Sequence, residues 1–566
     1  MLGEARRAAA FDSNFRHLCV GADATILEAM QRIEQGGERI CFVLDDGDRL
    51  LRVVSDGDIR RALIGGAQLG SPARDTHDRR ATIAQEDAPE QAIQHLGKRV
   101  PIVPVIDAYE RVVGVIRLRD MADAFNIRQR TVAVVGLGYV GLTLSLVLAD
   151  NGFVVKGYDT DAGLNKKISE RVPPFYENGL ENLLHLHVGN RFRLARSTDE
   201  LVADIYVITV GTPIIKETLK PNIDHILQAV GGIANKLKQG DLIILRSTVS
   251  VGCTRGHVIP LLERESGLTA GKDFHVAFCP ERTAEGRALK ELRELPQIVG
   301  GFNQQSRELA MRFFNENTHT VIDVGSLEAA EMCKLLDNTY RDTVFAYANQ
   351  MAMLAEKLGL NLTELITKVN LGYGRNKIPY PSPGVGGPCL SKDPYILADN
   401  FAAFGLDCPV TTAARRINEA APQMIFDTCD ALLGGVGKNL TTAKVLILGF
   451  AFKGEPATSD LRDSTTLWFL DYLKSKGLTE IWGHDPVVED DELAALGVRP
   501  CSPEAGFENA DAVFIMNNHR SYSDLNMFAL LSSMNLPGVF FDGWSVFPPH
   551  EIRNVPGVLY AATGTG

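Results

Sequence analysis

One cysteine stands in a sequence context that suits a nucleophile. Cys389 lies in the run P-G-V-G-G-P-C-L-S-K-D, where flexible glycines precede Pro388. Proline favours the first helical position, so the pattern predicts Cys389 in the first turn of a helix, where the helix dipole lowers a thiol pKa. Asp393 would project from the same helix face, one turn later. A lone cysteine is usually an inert buried residue, but this context predicts a thiolate with a carboxylate beside it.

Two other segments carry groups that could assist such a thiolate. Lys334 and Asn338 share one face of a predicted helix and form a candidate oxyanion pair; the alternative is a solvated face or a salt bridge. Glu281 and Glu285, in C-P-E-R-T-A-E-G after a predicted strand, could supply a general base. The alternative for this pair is that one glutamate bonds a neighbouring arginine.

A glycine-rich turn predicts a dinucleotide site. The turn follows an apolar strand, opens an apolar helix and consists of Gly136, Leu137, Gly138, Tyr139, Val140 and Gly141. The first glycine allows a tight turn, the second lets the backbone approach a pyrophosphate, and the third lets helix and strand pack closely. Asp159 closes the next strand, where a carboxylate accepts ribose hydroxyls and repels a 2′-phosphate, so NAD is preferred to NADP. The alternative is a purely structural glycine turn.

Two threonines are further candidates for cofactor contacts. Thr212, in V-G-T-P, and Thr248, in S-T-V, each follow a predicted strand. In open α/β sheets ligands bind at that edge. Either threonine could instead cap a helix.

The apolar runs provide the framework that these residues need. From Thr131 onward, short apolar runs alternate with helical segments, which is typical of a parallel sheet wound with helices. The predicted strands there are VVKGYD, IYVITVGT, LIILRST, HVAFCPE and TVIDVG. A long helix is predicted over 326–358, and a second wound sheet follows residue 440 with strands AKVLILGFAF, EIWGHDP, ADAVFIMNN and GVFFDGW.

Residues 1–127 form a short internal repeat. Each half has two apolar strands followed by a charged helix start, with Asp58 in the first half and Asp120 in the second. Helix capping alone explains such an aspartate. The paired halves nevertheless resemble a tandem CBS module, in which Ser55-x-x-Asp58 matches the ribose and phosphate contact, while Arg117 replaces the hydroxyl of the second copy. This resemblance implies an adenine nucleotide as a regulatory ligand.

The predicted fold class is α/β, with two Rossmann-like lobes joined by a long helix and a helical connector, preceded by the tandem CBS (α+β) module. The predicted domains are 1–127, the regulatory module; 128–325, the NAD-binding Rossmann domain; 326–435, a helical central and dimerisation domain with Cys389; and 436–566, a Rossmann-like domain that binds a nucleotide sugar.

Bulk properties exclude several classes of protein. At 566 residues, with 45% hydrophobic and 23% charged residues, the chain has the composition of a multidomain globular protein. A net charge of -12 argues against a nucleic-acid partner. The sequence lacks a secretory leader and a long apolar run, which predicts a cytoplasmic protein without membrane contact. Its nine scattered cysteines form no C-x-x-C pair, so no metal site is expected.

Five ordered motifs resemble the UDP-glucose/GDP-mannose dehydrogenase family over residues 131–560. They are G-L-G-Y-V-G, C-P-E-R-T-A-E-G, K-L-L-D-N-T-Y-R, G-V-G-G-P-C-L-S-K-D and F-K-G-E-P-A-T-S-D-L-R-D-S. The run K-L-L-D-N-T-Y-R-D-T, followed by Ala348-Asn349, is closer to the branch that acts on UDP-N-acetylhexosamines than to the UDP-glucose branch.

The resemblance implies a four-electron oxidation. The C6 alcohol of a UDP-sugar would become an aldehyde, Cys389 would trap it, a second hydride would leave, and water would cleave the thioester. Lys334 and Asn338 would stabilise oxyanions, and Asp393 with Glu281 or Glu285 would handle water and protons. The further matching residues imply substrate contacts by Lys453 and Arg375, cofactor contact by Arg462, and a homodimer or higher homo-oligomer built on the long helix. The product would serve polysaccharide biosynthesis.

Two departures from the family pattern leave alternatives open. Pro388 precedes the nucleophile where many relatives have serine or histidine, and Trp544 follows Asp542-Gly543 where an arginine is frequent. The alternatives are a UDP-glucose 6-dehydrogenase, a GDP-mannose dehydrogenase, or a simple alcohol or hydroxyacid dehydrogenase that releases a carbonyl product. Outside enzymes, the alternative is a nucleotide-sensing scaffold with inactive dehydrogenase lobes.

Overall fold

The chain divides after Ile127 into two units, residues 1–127 and 128–566. The computed structural model describes residues 12–77, 81–86, 100, 102–117 and 127–565. Asp120, the predicted regulatory residue of the second repeat, lies outside the described residues. No helix in these ranges has both the length and the apolar character required to cross a membrane.

The first unit shows the repeat as two small sheets of the same design. In one sheet, β1 (Cys19–Gly21) pairs parallel with β2 (Ile40–Leu44), which pairs antiparallel with β3 (Leu50–Ser55). In the other, β4 (Ala84–Gln85), β5 (Ile102–Ile106) and β6 (Val112–Arg117) repeat this arrangement. Helix α1 (Ile26–Gly36) precedes β2, and α2 (Asp56–Ile64) follows β3. Side chains from both sheets share one core cluster, which includes Phe42 and Val115.

The second unit begins with a Rossmann lobe. Its sheet has the strand order β16-β15-β14-β13-β10-β7-β8-β9. The strands are β7 (Val132–Val135), β8 (Val155–Tyr158), β9 (Phe192–Leu194), β10 (Ile205–Ile208), β13 (Leu242–Leu245), β14 (His275–Phe278), β15 (Gln297–Gly301) and β16 (Val321–Ser326), with a side hairpin of β11 (Ile214–Ile215) and β12 (Lys220–Pro221). The helices are α3 (Tyr139–Asp150), α4 (Ala162–Ser169), α5 (Leu180–His187), α6 (Asp224–Ala234), α7 (Ile259–Ser266), α8 (Ala288–Glu294) and α9 (Gln304–Asn315).

The apolar runs had suggested a wholly parallel sheet in this lobe, and this prediction is wrong for one pair of neighbouring strands. Strand β15, absent from the sequence-based predictions, pairs antiparallel with β14 and parallel with β16. The short helix α8 is the only described helix between β14 and β15, and it does not carry the chain back across the sheet, so β15 enters in the opposite direction. The ligand-binding edge is unaffected, because β7, β8, β10 and β13 are parallel neighbours.

A helical connector follows the lobe. Ser326 caps α10 (Leu327–Lys357) by accepting a hydrogen bond from the backbone of Ala329, close to the helix predicted over 326–358. The remaining helices of the connector are α11 (Leu362–Asn370), α12 (Asp393–Ala403) and α13 (Pro409–Gly434). Buried polar residues lie along one side of α10, which marks that side as the one that faces the rest of the unit.

The last lobe is a second wound sheet, entirely parallel, with the order β19-β18-β17-β20-β21-β22. Its strands are β17 (Val445–Leu448), β18 (Ile481–His484), β19 (Arg499–Pro500), β20 (Ala512–Ile515), β21 (Gly538–Asp542) and β22 (Val558–Ala562). Its helices are α14 (Thr465–Ser475), α15 (Asp490–Ala495), α16 (Pro503–Phe507), α17 (Met527–Ser532) and α18 (Pro549–Ile552). Apolar clusters cover both faces of the sheet, as parallel strands require. The predicted α/β fold class, with two Rossmann-like lobes, is confirmed.

Candidate active site

One cavity of about 610 Å³ joins the glycine-rich turn to Cys389. Its lining includes most of the residues singled out in the sequence, namely Gly136, Gly138, Tyr139, Val140, Asp159, Thr212, Thr248, Glu281, Glu285, Lys334, Cys389 and Arg462. These residues come from the carboxyl edge of the Rossmann-lobe sheet, from α10, from the turn before α12 and from the loop after β17. A bound dinucleotide and the thiol would therefore share one space.

The glycine-rich turn has the geometry that a pyrophosphate needs. Gly136 has φ +92°, and a Cβ there would meet Val210 at 3.0 Å. A Cβ on Gly138 would meet nothing within 4 Å, so that position is open on the cavity side. A Cβ on Gly141 would lie 1.8 Å from the carbonyl oxygen of Gly136, which shows how closely α3 packs on β7. The predicted roles of Gly136 in the turn and of Gly141 in close packing agree with this geometry, and contact between Gly138 and a pyrophosphate stays a prediction.

The acidic residue after β8 and the two threonines lie where a nucleotide can reach them. Asp159 accepts hydrogen bonds from the backbone of Leu137 at 2.6 Å and of Asp161 at 2.9 Å, which orients its carboxylate beside the turn. Thr212 is buried and its hydroxyl has no hydrogen-bond partner in the described part of the chain. Neither Thr212 nor Thr248 caps a described helix. An orphaned hydroxyl and an open glycine turn on one cavity fit NAD, which when bound accepts a hydride.

The structure corrects the predicted position of the nucleophile. Helix α12 begins at Asp393, with Pro394 in its first turn, so Cys389 lies in a turn before the helix rather than in its first turn. Pro388 is part of this turn and of the cavity wall. The backbone of Asp393 donates a hydrogen bond to the carbonyl of Cys389 at 3.0 Å, which closes the turn. The predicted shared helix face is therefore wrong, although the turn keeps thiol and carboxylate in the same neighbourhood.

The thiol pKa also differs from the prediction. Cys389 is exposed to the cavity, while each other cysteine is buried or half-buried. The enclosing protein walls nevertheless raise the pKa of Cys389, and the ammonium of Lys334 only partly opposes this. The predicted lowering of this pKa is therefore wrong, since Cys389 stands before the helix and its net pKa is raised. In this state the thiol is the stable form, so thiolate formation requires help from a neighbouring base or cation.

Helix α10 supplies the predicted lysine and asparagine. Lys334 and Asn338 are both buried, on the same face of the helix. The ammonium of Lys334 donates to the backbone carbonyl of Glu281, and the amide of Asn338 donates to the carboxylate of Asp393 at 2.5 Å. Lys334 reaches the cavity, whereas Asn338 and Asp393 stand behind its wall. The solvated-face alternative for Lys334 is thereby excluded.

The two glutamates differ sharply in environment. Their segment does not turn helical, since α8 begins only at Ala288. The carboxylate of Glu281 accepts from the backbone of Thr283 and lies 4.0 Å from the fully buried Arg246. The carboxylate of Glu285 instead accepts from the hydroxyl of Thr458 at 3.1 Å. The arginine contact that the sequence left open as an alternative is present at both glutamates, since Arg246 lies near Glu281 and Arg462 donates to Glu285 at 3.4 Å.

Burial and the nearby Asp460 carboxylate raise the pKa of Glu285 to about 8. Arg462 pairs with Asp460 and lies 3.4 Å from Glu285, which opposes the rise. Lys453 donates to the backbone carbonyl of Glu285 at 2.8 Å and is not part of the cavity wall. The carboxyl-terminal lobe therefore holds the Glu285 loop through a lysine and a threonine.

Three residues complete the inventory. Arg375 is exposed in a loop and does not line the cavity in the described chain. Lys392, which sequence reasoning missed, lines the cavity and forms an ion pair with Asp393. Burial lowers the pKa of Lys392, but Asp393 and Cys389 together more than offset this, so the net pKa is raised. Sequence reasoning also missed Arg246, which lines the cavity near Glu281. Its place at the end of a predicted strand was the available signal, but a single sequence does not show which carboxylate an arginine contacts.

In the first unit, Ser55 and Asp58 form a reciprocal cap. The Ser55 hydroxyl donates to Asp58 at 2.6 Å, and the backbone of Asp58 donates back to Ser55 at 3.3 Å. Arg61 forms an ion pair with Asp58, and His77 lies 3.6 Å from it. Arg117, which replaces the hydroxyl of the second copy, is buried against Asp12 and Glu38. This geometry confirms the capping interpretation of Asp58. Nucleotide binding by Ser55 and Asp58 stays a prediction.

The glycine-rich turn, the buried hydroxyl of Thr212 and the thiol of Cys389 line one cavity. This combination is typical of an NAD-dependent dehydrogenase. Family models support this class. The NAD-binding, central and UDP-binding domain models of the UDP-glucose/GDP-mannose dehydrogenase family match residues 130–318, 328–420 and 446–549. The CBS domain model matches residues 15–65 and 76–127. The chain belongs to the UDP-glucose/GDP-mannose dehydrogenase family and carries two CBS domains at its amino-terminal end.

Individual relatives agree with this assignment. The chain is 32% identical to a UDP-N-acetyl-D-mannosamine dehydrogenase of Pyrococcus horikoshii, over 77% of this chain and 99% of that protein. It is 31% identical to an NDP-N-acetyl-D-galactosaminuronic acid dehydrogenase of Ralstonia nicotianae, over 73% and 96%. The solved structure of UDP-D-ManNAc dehydrogenase from Pyrococcus horikoshii superposes with a TM-score of 0.70 at 30% identity, over 77% of this chain and 99% of that one.

Proposed function

We propose that this chain oxidises the C6 alcohol of a UDP-N-acetylhexosamine to a carboxylate, with NAD as the hydride acceptor and Cys389 as covalent catalyst. The observation that carries the proposal is the single cavity lined by both Gly138 and Cys389. The relatives named for N-acetylhexosamine substrates support this sugar class. A UDP-glucose or GDP-mannose substrate is the alternative that the experiment below separates.

The residues around the cavity have separate tasks in this reaction. The Cys389 thiol gives its proton to a neighbouring base, its sulfur forms a C–S bond with the aldehyde carbon, and the aldehyde oxygen becomes an oxyanion. Transfer of the hydride on that carbon to NAD would leave the thioester. Lys334 uses one N–H on the Glu281 carbonyl and keeps two donors for that oxyanion. Asn338 orients Asp393, and Lys392 places a second cation beside the thiol. Glu285, whose pKa is about 8, exchanges protons near neutral pH and activates the water that cleaves the thioester.

A panel experiment tests the substrate and the stoichiometry together. The full chain is incubated with NAD and each of UDP-N-acetylmannosamine, UDP-N-acetylglucosamine, UDP-N-acetylgalactosamine, UDP-glucose and GDP-mannose, and NADH is counted. Two NADH per sugar, with an N-acetylhexosamine as the best substrate, is the expected result. One NADH per sugar with release of a carbonyl product would favour a simple alcohol dehydrogenase, and no turnover of any sugar would favour the sensing scaffold.

We further propose that an adenine nucleotide binds near Ser55 and Asp58 and changes the activity of the dehydrogenase lobes. The repeated sheets and the matching family model support this role. Titration calorimetry of the full chain with AMP, ADP and ATP tests it, with Ser55→Ala as the variant. Undiminished binding by that variant would place the nucleotide elsewhere, and no heat with the parent chain would remove the proposal.

We also propose a homodimer built on α10. Large apolar side chains lie exposed along this helix at Leu336, Tyr340, Tyr347 and Leu354, and at Leu358 directly after it; exposed apolar patches of this kind mark interfaces. Light scattering of the full chain should give twice the chain mass, and Tyr340→Lys with Leu336→Lys should give a monomer. A parent chain that is monomeric at micromolar concentration would contradict the proposal.

A further inference from the structure

A buried polar network lies next to the glycine loop that leads to the nucleophile. Asp342 continues the face of α10 that carries Lys334 and Asn338, and it is fully buried. Arg415 on α13 is also buried and donates to the Asp342 carboxylate at 2.6 Å. The same guanidinium nitrogen donates to the backbone carbonyl of Val385 at 3.2 Å. One arginine thus bridges a helix of the catalytic site and the loop before Cys389.

Further contacts hold the same loop on both sides of Val385. Asn349, also on α10, accepts from the backbone of Ser382 at 2.9 Å and donates to Asn418 at 2.9 Å. Asn418 in turn donates to the Asp342 carboxylate at 2.9 Å. Beyond Val385, the backbone of Gly387 donates to the carbonyl of Asp463 at 2.8 Å. Arg415 is therefore the central member of a network that ties the loop to α10.

The loop has little freedom to adjust if one tie is lost. Gly384 and Gly387 have φ +97° and +87°, and a Cβ on Gly386 would lie 2.1 Å from the Asp463 carbonyl. Backbone packed this closely transmits a shift instead of absorbing it. A shift of the Val385 carbonyl would reach Cys389 four residues later, while Lys334 and Asn338 stay in place on α10.

We infer that the Asp342–Arg415 pair is a positioning pair, which sets Cys389 relative to Lys334 and Asn338. The inference rests on the proposed function for its catalytic consequence, but the position of the thiol can be measured independently. Arg415 touches neither the cavity nor the reacting atoms in the described chain, so its effect acts through the Val385 carbonyl. In the proposed reaction the thiol of Cys389 takes part only in the second oxidation, from aldehyde to acid. Loss of the Asp342–Arg415 pair should therefore slow that oxidation and leave the oxidation of the alcohol unchanged.

The test variant is Arg415→Lys, which keeps the charge but cannot reproduce the guanidinium, whose Nη1 donates to Asp342 and Val385 while its Nε and Nη2 donate to Glu419. The first readout is the rate at which iodoacetamide alkylates Cys389 in the full chain at several pH values, followed by mass spectrometry of its peptide. The second compares oxidation of the UDP-N-acetylmannosamine 6-aldehyde with the first oxidation of the alcohol. Arg293→Lys is the control for the loss of a paired guanidinium, since Arg293 pairs with Asp150 at 2.7 Å on the Rossmann lobe.

A misplaced thiol should slow aldehyde oxidation about tenfold to a hundredfold and change the alkylation profile, while the first oxidation and NAD affinity stay near those of the control. Equal losses in both oxidations, or an unchanged alkylation profile, would overturn the inference. If Arg415→Lys fails to fold, Asp342→Asn is measured in the same way, and unfolding of both variants would assign the pair to stability alone. If no nucleotide sugar is oxidised, the proposed function fails but the alkylation profile still decides this inference.

Discussion

Asn338 on α10 donates its side-chain amide to the carboxylate of Asp393 at the start of α12, and both side chains are almost completely buried. This bond joins two segments that are far apart in the sequence, immediately behind the turn that bears Cys389. A hydrogen bond to a buried charged group contributes more to stability than one between neutral groups, because the desolvated carboxylate would lose a partner and, among the described residues, keep only its ion pair with Lys392.

Asn338→Ala should therefore weaken both the fold and the reaction. The free energy of unfolding should fall by about 2 kcal/mol, the usual cost of losing a hydrogen bond to a charged group. Chemical denaturation measures this value. The control is Asn526→Ala, which removes only the cap of α17 and should cost about 1 kcal/mol. Equal losses in the two variants would contradict the special role of the Asn338–Asp393 bond.

Cys389→Ser should separate the two oxidations. The serine hydroxyl is a much poorer nucleophile, so acid formation should fall at least about a hundredfold, while the first hydride transfer continues. Product analysis and NADH counting measure the two steps. Cys408→Ser, at a half-buried cysteine outside the cavity, should retain both. Full acid formation by Cys389→Ser would refute covalent catalysis.

Two glycine variants should separate folding from cofactor binding. Gly141→Ala has no room for its methyl group, 1.8 Å from the Gly136 carbonyl, so it should lower the thermal unfolding temperature. Gly138→Ala has free space in the folded chain but would obstruct a pyrophosphate, so it should keep the unfolding temperature and weaken NAD binding at least about tenfold. Calorimetric titration with NAD and thermal scans measure the pair. Unchanged NAD affinity in Gly138→Ala would place the dinucleotide elsewhere.

Thr212→Val tests the orphaned hydroxyl. The substitution removes a buried hydroxyl without a partner, so the stability of the chain without NAD should stay the same or rise. If the hydroxyl contacts NAD, affinity should fall about tenfold, equivalent to about 1.4 kcal/mol. Thr458→Val, at a hydroxyl bonded to Glu285, is the contrasting variant and should lose stability. A stable Thr212→Val chain with unaltered NAD affinity would remove Thr212 from the cofactor site.

Glu285 should make the stability and the activity depend on pH. Its pKa is raised from 4.5 to about 8 by burial and Asp460, so between these values the folded chain holds a proton that the unfolded chain releases. Stability conferred by this group should therefore fall as the pH rises through that window. Glu285→Gln should flatten the profile and slow thioester cleavage about a hundredfold. The exposed Glu294→Gln serves as the control, and identical pH profiles for the parent and Glu285→Gln would show that another group titrates.

Much of the fold followed from local patterns. The apolar runs located the strands of both wound sheets, and Ser326 marked the start of α10, because burial of parallel strands and helix capping are written in nearby residues. The antiparallel β15 escaped prediction, since strand direction depends on how the chain returns to the sheet.

Residue type and spacing were enough to predict the groups of the candidate site, which are a thiol, a lysine and an asparagine on one helix face, two glutamates and a dinucleotide turn. The contacts between these groups became visible only in the folded chain. In the folded chain Cys389 lies before the helix and its thiol pKa is raised. Glu281 lies near Arg246, and the pKa of Glu285 is raised to about 8. Lys392 lines the cavity. The reason is physical: spacing along a helix or strand is local, whereas burial, charge neighbours and hydrogen-bond partners come from segments brought together by folding.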